Sequence, residues 1–303
     1  MKFTVTGRAR VTRLFALALA LVAMPGMAAA PADPAAALHQ RYAALKEQLA
    51  HNDYQRPLYL DSSDADGTTL GEAYVVVAHP YKRVVAALGS SDHWCDILIL
   101  HVNTKYCRPV TGAAGSPVLQ VAMGRKFEQD LDDAYQVDFS FQKLRSDSQL
   151  LQVELDAPEG PMGTRDYRIQ LEAVPLDSTQ TFIHLSYAYS YGMTARLAMQ
   201  TYLATLGNSK VGFTVVAHND AGEPEYIDGV RGAVERNTLR YSLAIEAYLG
   251  AWSTPANQRI EKRLHDWFAA TERHPLQLRE MELDEYLVMK RNEIRRQQEP
   301  IAE

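Results

Sequence analysis

One segment limits the fold of this chain more than any other. It is the longest proline-free run whose apolar residues keep a helical period, GVRGAVERNTLRYSLAIEAYLGAW, from Gly229 to Trp252. Spacings of three and four place one apolar stripe along it, with Asn237 in the middle. The stripe consists of Val230, Val234, Tyr241, Ile245 and Tyr248. Leu239 and Leu243 fall on the opposite face. The pattern predicts a long helix over a curved sheet, with a smaller surface covering its back.

Two cations share one flank of this helix. Arg236 and Arg240 are four residues apart, so their side chains are neighbours on the helix surface. Like charges at this spacing repel each other by a few tenths of a kcal/mol. We therefore expect acids or an anionic ligand to lie opposite them.

Residues 1–29 have the pattern of a cleaved export signal. Lys2, Arg8, Arg10 and Arg13 form a basic leader, and Leu14 to Met24 is an apolar run too short to span a bilayer. Small residues near Ala28 offer a cleavage site. The pattern predicts a periplasmic or secreted protein, and the alternative is an uncleaved amphipathic anchor. No apolar run in the mature chain is long enough for a transmembrane helix.

Removal of the leader changes the electrostatics of the chain. The formal charge is -6, and the loss of four basic residues and no acid takes it to -10. A negative charge and the absence of a basic stripe disfavour nucleic acid as a partner. Roughly 270 mature residues suffice for one good core with helical additions, or for two small domains.

The chain contains two cysteines, Cys95 and Cys107. In an oxidising compartment an isolated pair favours a disulfide. The competing interpretation is a thiol nucleophile at Cys95, assisted by His93 or His101. No family signature surrounds Cys95 to support this second interpretation.

The first part of the mature chain, residues 30–56, is predicted to carry an amphipathic helix from Pro34 to Asn52, packed on the outside of the domain. The acidic stretch Asp61 to Gly67 follows. It invites comparison with a calcium-binding loop, but its ligand positions do not fit the required register. We therefore interpret it as an acidic turn.

The apolar period then changes from helical to alternating. Thr69 to Ala78 is predicted to be a strand, two short helices follow up to Asp96, and six further strands complete the meander. These six strands are predicted at Ile97–Val102, Val118–Phe127, Tyr135–Phe141, Leu150–Asp156, Thr164–Val174 and Thr181–Tyr191. Short turns between consecutive strands indicate an antiparallel sheet with one apolar face.

This order of elements resembles the START-like helix-grip superfamily of polyketide cyclases and lipid-transfer proteins, also called SRPBCC. The residues that carry the resemblance are Ala78 to Gly89, Asp92-His93-Trp94, the meander from Ile97 to Tyr191 and the helix at Gly229. The resemblance implies an α+β domain over residues 57–252, in which a curved antiparallel sheet wraps around a long C-terminal helix. Residues 192–228 are an insertion relative to the superfamily, with a predicted helix from Thr194 to Leu206 and a β-like run from Val211 to Val216.

The resemblance also implies an apolar cavity between sheet and helix, and hence a hydrophobic small molecule or lipid as ligand. Side chains that alternate on the last two strands would share one face with Asn237 and Tyr241. The predicted ligand-binding residues are Arg165, Tyr167, Tyr187, Tyr189, Tyr191, Asn237 and Tyr241. Their hydroxyl, amide and guanidinium groups would orient an amphipathic ligand. The alternative is a filled core in which the tyrosines only pack.

Residues 253–303 form a charged helical tail in the sequence pattern. Two amphipathic helices are predicted, Asn257 to Thr271 and Leu278 to Gln298, the second ending in Arg295-Arg296. The back of the long helix, at Leu239 and Leu243, is a natural surface for them. A solvated tail is one interpretation, and contact with a protein or an acidic membrane surface through the arginine end is the other.

Signals of catalysis are sparse in this sequence. It has no phosphate-binding loop, no nucleophile elbow and no paired histidines at zinc spacing, so neither a cofactor nor a metal is predicted. Acid–base chemistry of the cyclase or dehydratase type by cavity tyrosines and Arg165 stays open, as does a non-catalytic interaction scaffold. The sequence favours binding or transfer of a hydrophobic or amphipathic molecule over catalysis.

Overall fold

A computed structural model describes residues 1, 2, 4, 33–205 and 210–298, so nearly all of the predicted export signal lies outside the described residues. Helix α1 spans Pro34–Ala50, and the Asp33 carboxylate accepts the Ala35 N–H at its start. Leu38, Leu45 and Leu49 are buried along one side of α1. They pack against Phe182 on the outer face of the sheet. The predicted helix and its position are therefore confirmed.

An eight-stranded antiparallel sheet forms the body of the protein, in the order β1-β2-β8-β7-β6-β5-β4-β3. The strands are β1 (Leu58–Ala65), β2 (Thr68–Val77), β3 (Thr104–Thr111), β4 (Pro117–Met123), β5 (Tyr135–Ser146), β6 (Leu151–Glu159), β7 (Thr164–Pro175) and β8 (Thr181–Tyr191). Strand β8 pairs with β2, which closes the meander onto the first hairpin. The inward-facing apolar residues of these strands belong to one large core.

Two predictions about individual strands are wrong. Asp61 to Ala65 continue β1, and only Asp66 and Gly67, both with positive φ, form the turn to β2. Asp61 and Asp64 lie on opposite faces of this edge strand, neither of them buried, so their polar composition resembled that of a turn. The run Ile97–Val102 ends a helix and turns, and the strand lies later, at β3. Short apolar runs do not distinguish a buried strand from a buried helix.

Two short helices lie between the second and third strands. They are α2 (Tyr81–Leu88) and α3 (Ser91–Leu98). Cys95 of α3 is disulfide-bonded to Cys107 of β3, with Cα atoms 5.1 Å apart. The predicted disulfide is confirmed, and a free thiol nucleophile at Cys95 is excluded in this oxidised state.

The long helix α5 (Gly229–Gly250) lies in the concave side of the sheet. It approaches β2 closely at Gly71, where an added β-carbon would lie 2.2 Å from Thr238 Oγ1 and 3.3 Å from the Val234 carbonyl oxygen. Only glycine allows the helix to come this close to the strand. A curved antiparallel sheet around a long C-terminal helix is the helix-grip arrangement, and the predicted fold class is confirmed.

The insertion between β8 and α5 contains helix α4 (Met193–Thr205) and a small hairpin of β9 (Val215–His218) and β10 (Pro224–Tyr226). Glu235 of α5 is fully buried and fixes the insertion to the domain. Its carboxylate accepts the Phe213 and Thr214 N–H groups at 2.5 and 3.0 Å. It also accepts the Ser62 hydroxyl at 2.5 Å. Hydrogen bonds to a buried carboxylate are stronger than neutral ones, so they anchor this end of the insertion.

The C-terminal residues form α6 (Arg259–Thr271), α7 (Pro275–Leu278) and α8 (Leu283–Gln298). They are not a solvated tail, and that interpretation is wrong. The Trp267 indole of α6 is 2% exposed and donates to the Arg240 carbonyl oxygen of α5 at 3.0 Å. Tyr286 of α8 is fully buried and stacks on Trp267. Leu239 and Leu243 belong to the same core, which confirms that the C-terminal helices pack on the back of α5.

A buried ionic group joins α8 to the third strand. Lys105 and Lys290 are both 0% exposed, and Glu293 is 1% exposed. The Glu293 carboxylate accepts from Lys105 at 3.0 Å and from Lys290 at 2.7 Å. Lys290 also donates to the carbonyl oxygens of His101 and Thr104. The charged appearance of this helix therefore arises partly from charges that lie inside the protein.

Among the described helices, none combines the length and apolarity needed to cross a membrane.

On the outer face of the sheet, His184 lies between two carboxylates. Its ring nitrogens are 2.9 Å from Glu72 Oε1 and 3.1 Å from Glu172 Oε2. Burial lowers the pKa of His184, but the two carboxylates outweigh this and raise the pKa above 6.5. The His184 hydrogen bonds in turn lower the pKa of Glu72 and of Glu172 below 4.5.

These shifts predict a pH-dependent stability. A raised histidine pKa stabilises the fold below pH 6.5, and this contribution disappears as the pH rises through the raised value. The lowered glutamate pKa values stabilise it above pH 4.5, and this contribution disappears on acidification. We expect the melting temperature of the parent protein to exceed that of His184→Gln most between these two values. A difference between the two proteins that stays constant from about pH 5 to about pH 9 would contradict this assignment.

Candidate functional site

A group of tyrosines fills part of the space between the sheet and α5. Four of them come from β7 and β8, and one comes from α5. This tyrosine cluster consists of Tyr167, Tyr187, Tyr189, Tyr191 and Tyr241. The Tyr167 and Tyr189 rings stack with centroids 5.2 Å apart, and the Tyr187 and Tyr241 rings are 5.4 Å apart. The rings therefore make a continuous contact from the sheet to the helix.

The hydroxyl groups of the cluster lie inside the protein. The Tyr167 hydroxyl is 2.8 Å from Thr164 Oγ1, and the Tyr191 hydroxyl donates to Asp64 Oδ1 at 2.5 Å. Burial raises the pKa of Tyr187, Tyr189 and Tyr241 above 10. These phenols are therefore neutral near neutral pH, and they can donate hydrogen bonds but do not act as ready bases.

Arg165 does not join the tyrosines, and its predicted place in the site is wrong. Its side chain is 59% exposed and pairs with its neighbour Asp166 at 3.3 Å. A bulge causes the difference: β7 contains one extra residue relative to β8 between Arg165 and Arg168, and Asp166 has φ 53°. The extra residue interrupts the alternation of side chains. Arg165 consequently faces solvent while Tyr167 faces the core.

A different set of positive charges lies beside the cluster. Arg236 and Arg240 of α5 are 5% and 1% exposed. The Arg240 Nη2 donates to Glu280 Oε1 at 2.5 Å, and the Lys126 Nζ is 2.8 Å from the same oxygen. The cationic cluster consists of Lys126, Lys210, Arg236 and Arg240. Burial tends to raise the pKa of Glu280, but Arg240, Lys126 and Lys210 hold it below 4.5.

The two arginines also bind the backbone of the segments that surround them. Arg236 donates to the carbonyl oxygens of Val211 and Lys210 at 3.1 and 3.3 Å. Arg240 donates to the Leu278 carbonyl oxygen at 3.1 Å. The sequence expectation of an acid opposite this pair is confirmed by Glu280. One shared carboxylate nevertheless leaves the cationic cluster with an excess of positive charge.

His101 and Asn237 lie where the tyrosine and cationic clusters meet. The His101 ring is 2% exposed and stacks on Tyr241 with centroids 4.8 Å apart. Its Nδ1 accepts the Asn103 N–H at 3.1 Å, which places the proton of the neutral ring on Nε2. Burial, together with Arg240 and Lys290, lowers the pKa of His101 well below 6.5. The half-buried Asn237 accepts from Arg240 Nη1 at 3.5 Å.

A buried donor at this junction, Arg240 Nε, has no hydrogen-bond partner within the described part of the chain. The buried His101 ring interacts with the Asn237 side chain, although its Nε2 makes no hydrogen bond of full geometry. An unpaired buried donor costs about 1 to 3 kcal/mol. Such groups are uncommon in folded proteins unless water, an ion or a ligand completes them.

Open depressions occur on the protein surface. One of about 680 Å³ reaches Tyr167, and its lining combines apolar residues such as Val118 with the charged side chains of Asp138, Asp156 and Arg168. Another, of about 510 Å³, lies between the end of α1, the insertion and α7. Its aromatic wall contains Tyr54, Phe213 and His274. The described part of the chain places no group of three or more His, Cys, Asp or Glu residues where it could hold a metal ion.

Comparison with solved structures finds proteins of low sequence identity that overlap this chain in part. Norcoclaurine synthase from Thalictrum flavum is 18% identical over 49% of this chain and 88% of its own, with a TM-score of 0.32. An aromatase/cyclase from Streptomyces sp. R1128 is 13% identical over 65% of this chain and 93% of its own, with a TM-score of 0.32. Human StAR-related lipid transfer protein 5 is 10% identical over 56% and 89%, with a TM-score of 0.31.

Overlaps of this size carry no argument about activity. No protein-family model and no curated protein matches the sequence. The fold stands on the strand order and on the position of α5, and the function has to be inferred from the side chains themselves.

Sequence reasoning missed most of the polar half of this site. Lys126 lies in a loop, Lys210 in the insertion and Glu280 between α7 and α8, so nothing in their local sequence links them. His101 lies within the run Ile97–Val102, which resembled a strand. The one available signal was the Arg236 and Arg240 pair on the long helix.

Proposed function

We propose that this protein binds a hydrophobic or amphipathic small molecule between the sheet and α5, at the tyrosine cluster. One observation carries the proposal: five tyrosines, each 5% to 7% exposed, occupy the sheet–helix interface of a helix-grip fold. Aliphatic side chains would fill such a space without burying hydroxyl groups. Buried hydroxyls in an otherwise apolar space are typical of a site that orients a small ligand.

The contacts between the tyrosine rings show which groups a ligand must displace in order to bind. The Tyr187 and Tyr241 rings are in contact, and so are those of Tyr167 and Tyr189. A ligand must therefore displace some of these rings from one another. The competing interpretation, a permanently filled core, predicts that they stay in contact and that no ligand enters.

Binding is preferred over a cyclase or dehydratase activity for a chemical reason. General-base catalysis at neutral pH needs a group that accepts a proton, but the cluster phenols are held neutral by burial. The accepting nitrogen of His101 is already occupied by the Asn103 N–H. Arg165, which the enzyme alternative would use beside the tyrosines, lies on the surface.

If the tyrosine cluster binds a ligand, removing one of its hydroxyl groups should weaken binding and leave the stability of the fold unchanged. Tyr187→Phe and Tyr189→Phe each remove one hydroxyl, and the loss of one hydrogen bond corresponds to about 1 kcal/mol, or roughly fivefold in affinity. We expect dodecan-1-ol to displace the fluorescent probe N-phenyl-1-naphthylamine several-fold less effectively from these variants. Melting temperatures should stay near that of the parent protein.

Two matched controls sharpen this test. Tyr135→Phe removes a hydroxyl from a ring that is 52% exposed, and Arg165→Ala removes the exposed guanidinium. Neither change should alter displacement of the probe. Failure of the parent protein to bind the probe or the alcohol, together with destabilised cluster variants, would favour the filled core.

Export to the periplasm is also proposed, on the basic leader and apolar run of residues 1–29 alone. The expected result is a mature N-terminus between about residues 25 and 31, by the usual position of cleavage after small residues. N-terminal sequencing of the purified protein measures it directly, and an intact Met1 would contradict the proposal.

Contact of the arginine end of α8 with a protein or membrane surface stays a prediction.

A further inference from the structure

The cationic cluster carries more positive charge than the structure needs to hold its helices together. Four cations, Lys126, Lys210, Arg236 and Arg240, surround one carboxylate, that of Glu280. Glu235 also acts on Arg236, but its own hydrogen bonds go to β1 and the insertion. Even with both carboxylates counted, the cations outnumber the acids, because Glu235 also lies 4.0 Å from a fifth cation, Arg231.

The shared partner explains why this charge is unusual. The Arg240 and Lys126 side chains both use Glu280 Oε1. Arg236 donates to backbone carbonyl oxygens, which carry no formal charge. Lys210 likewise donates to the Arg279 carbonyl oxygen. Burying cations costs free energy unless opposite charges are near, and this applies to Arg236 and Arg240, which are 5% and 1% exposed. The Lys126 side chain is 26% exposed and Lys210 is half-buried, so both can add charge to an anion that reaches the arginines.

The cationic cluster meets the tyrosine cluster at Arg240 and His101. Arg240 Nε is buried and lacks a hydrogen-bond partner among the described residues, and the buried His101 ring interacts with the Asn237 side chain. The His101 ring lies on Tyr241, and Arg236 and Arg240 are close enough to Tyr189 and Tyr241 to act electrostatically on them. A molecule whose apolar part lies against the tyrosines would thus place its polar end beside these donors.

We infer that the cationic cluster binds the anionic head, a carboxylate or a phosphate, of an amphipathic ligand whose apolar part contacts the tyrosine cluster. This inference rests on the proposed function and specifies its ligand class. Arg240, His101 and Asn237 provide directed hydrogen bonds at the junction, while Lys126 and Lys210 add charge from the surrounding segments. Arg240 of α5 supplies the guanidinium group that Arg165 of β7 was expected to supply.

The test compares three probes that share one alkyl chain: dodecanoate, dodecyl phosphate and dodecan-1-ol. Binding to the full mature chain is measured by calorimetry below the micelle concentration of each probe. One charge-assisted hydrogen bond corresponds to about tenfold in affinity. We expect at least one of the two anions to bind about tenfold more tightly than the alcohol, and the tighter anion identifies the head group.

Two lysine variants test whether the cationic cluster causes the preference for an anionic probe. Lys126→Met and Lys210→Met keep an alkyl side chain and leave the contacts of Arg240 with Leu278 and Glu280 in place. Each should weaken the preferred anion about three- to tenfold and leave dodecan-1-ol unchanged. The matched control is Lys262→Met, which removes a 41% exposed lysine of α6 and should leave both unchanged.

The outcomes separate the two proposals. Equal affinity for the alcohol and the anions, or anion affinity unchanged in both lysine variants, overturns the anionic head while ligand binding stands. Failure of all three probes to bind the parent protein overturns the proposed function itself. Circular dichroism of each variant establishes that it is folded before binding is compared.

Discussion

Glu293→Ala is expected to be the most destabilising single substitution on α8. It leaves the Lys105 and Lys290 ammonium groups, both 0% exposed, without their common carboxylate. Removing one partner of a buried ion pair costs about 3 to 5 kcal/mol. Burial already lowers the pKa of Lys290 to about 8 while Glu293 is present. Urea denaturation followed by circular dichroism measures the loss directly.

A control on the same helix isolates the effect of burial. Glu285→Ala removes an exposed carboxylate of α8 and should change the free energy of unfolding by less than about 0.5 kcal/mol. A small loss for both variants would mean that α8 contributes little to folding, as in a solvated tail. That result would contradict the packing described for the C-terminal helices.

Removal of the disulfide has the second largest expected effect. Replacing Cys95 and Cys107 together by alanine opens a link between residues 12 positions apart. The chain-entropy relation gives about 3 kcal/mol for a loop of this length. The double variant, compared with the oxidised parent protein by urea denaturation, should show this loss.

The same comparison under reducing conditions supplies the control. Reduction should lower the stability of the parent protein toward that of the double variant, while the double variant itself should not respond to the reductant. Equal stability of the parent with and without reductant, after full reduction is verified by mass spectrometry, would contradict a stabilising role of the disulfide.

Local patterns predicted the elements whose structure depends on local sequence. The period of α5, the alternation in β8 and the amphipathic face of α1 all agree with the structure. The insertion helix was also expected near its observed position at α4. Each of these elements carries apolar residues at its own structural period, which the sequence displays directly. The structure buries α5 on nearly all sides and β8 on both faces, because further helices cover them.

The errors arise where distant parts of the chain decide the outcome. Strand β3 has no clean alternation, because Lys105 is buried through a carboxylate on α8. Its Pro109 also weakened the pattern, although proline is tolerated on this edge strand. The bulge that turns Arg165 outward depends on pairing with β8. None of these contacts is visible within a short window of sequence.

The candidate site likewise has one part that the sequence predicts and another that only the tertiary structure reveals. The tyrosines were found because alternation places them on one face, and the structure brings all five into contact with one another. The cationic cluster combines a loop, the insertion, α5 and the segment after α7, so it required the tertiary structure. Asn237 was expected among the tyrosines and lies instead at the boundary between the two clusters.

Native mass spectrometry of the full chain, purified after expression with its leader and without denaturation, shows directly whether a ligand occupies the tyrosine cluster. We expect a stoichiometric adduct of small-molecule mass, and solvent extraction should yield an amphipathic compound with an acidic head. Adding dodecanoate to extracted protein should restore one bound molecule. A clean apo mass, with no uptake of dodecanoate, dodecyl phosphate or dodecan-1-ol, would contradict the account and establish the tyrosine cluster as a filled core.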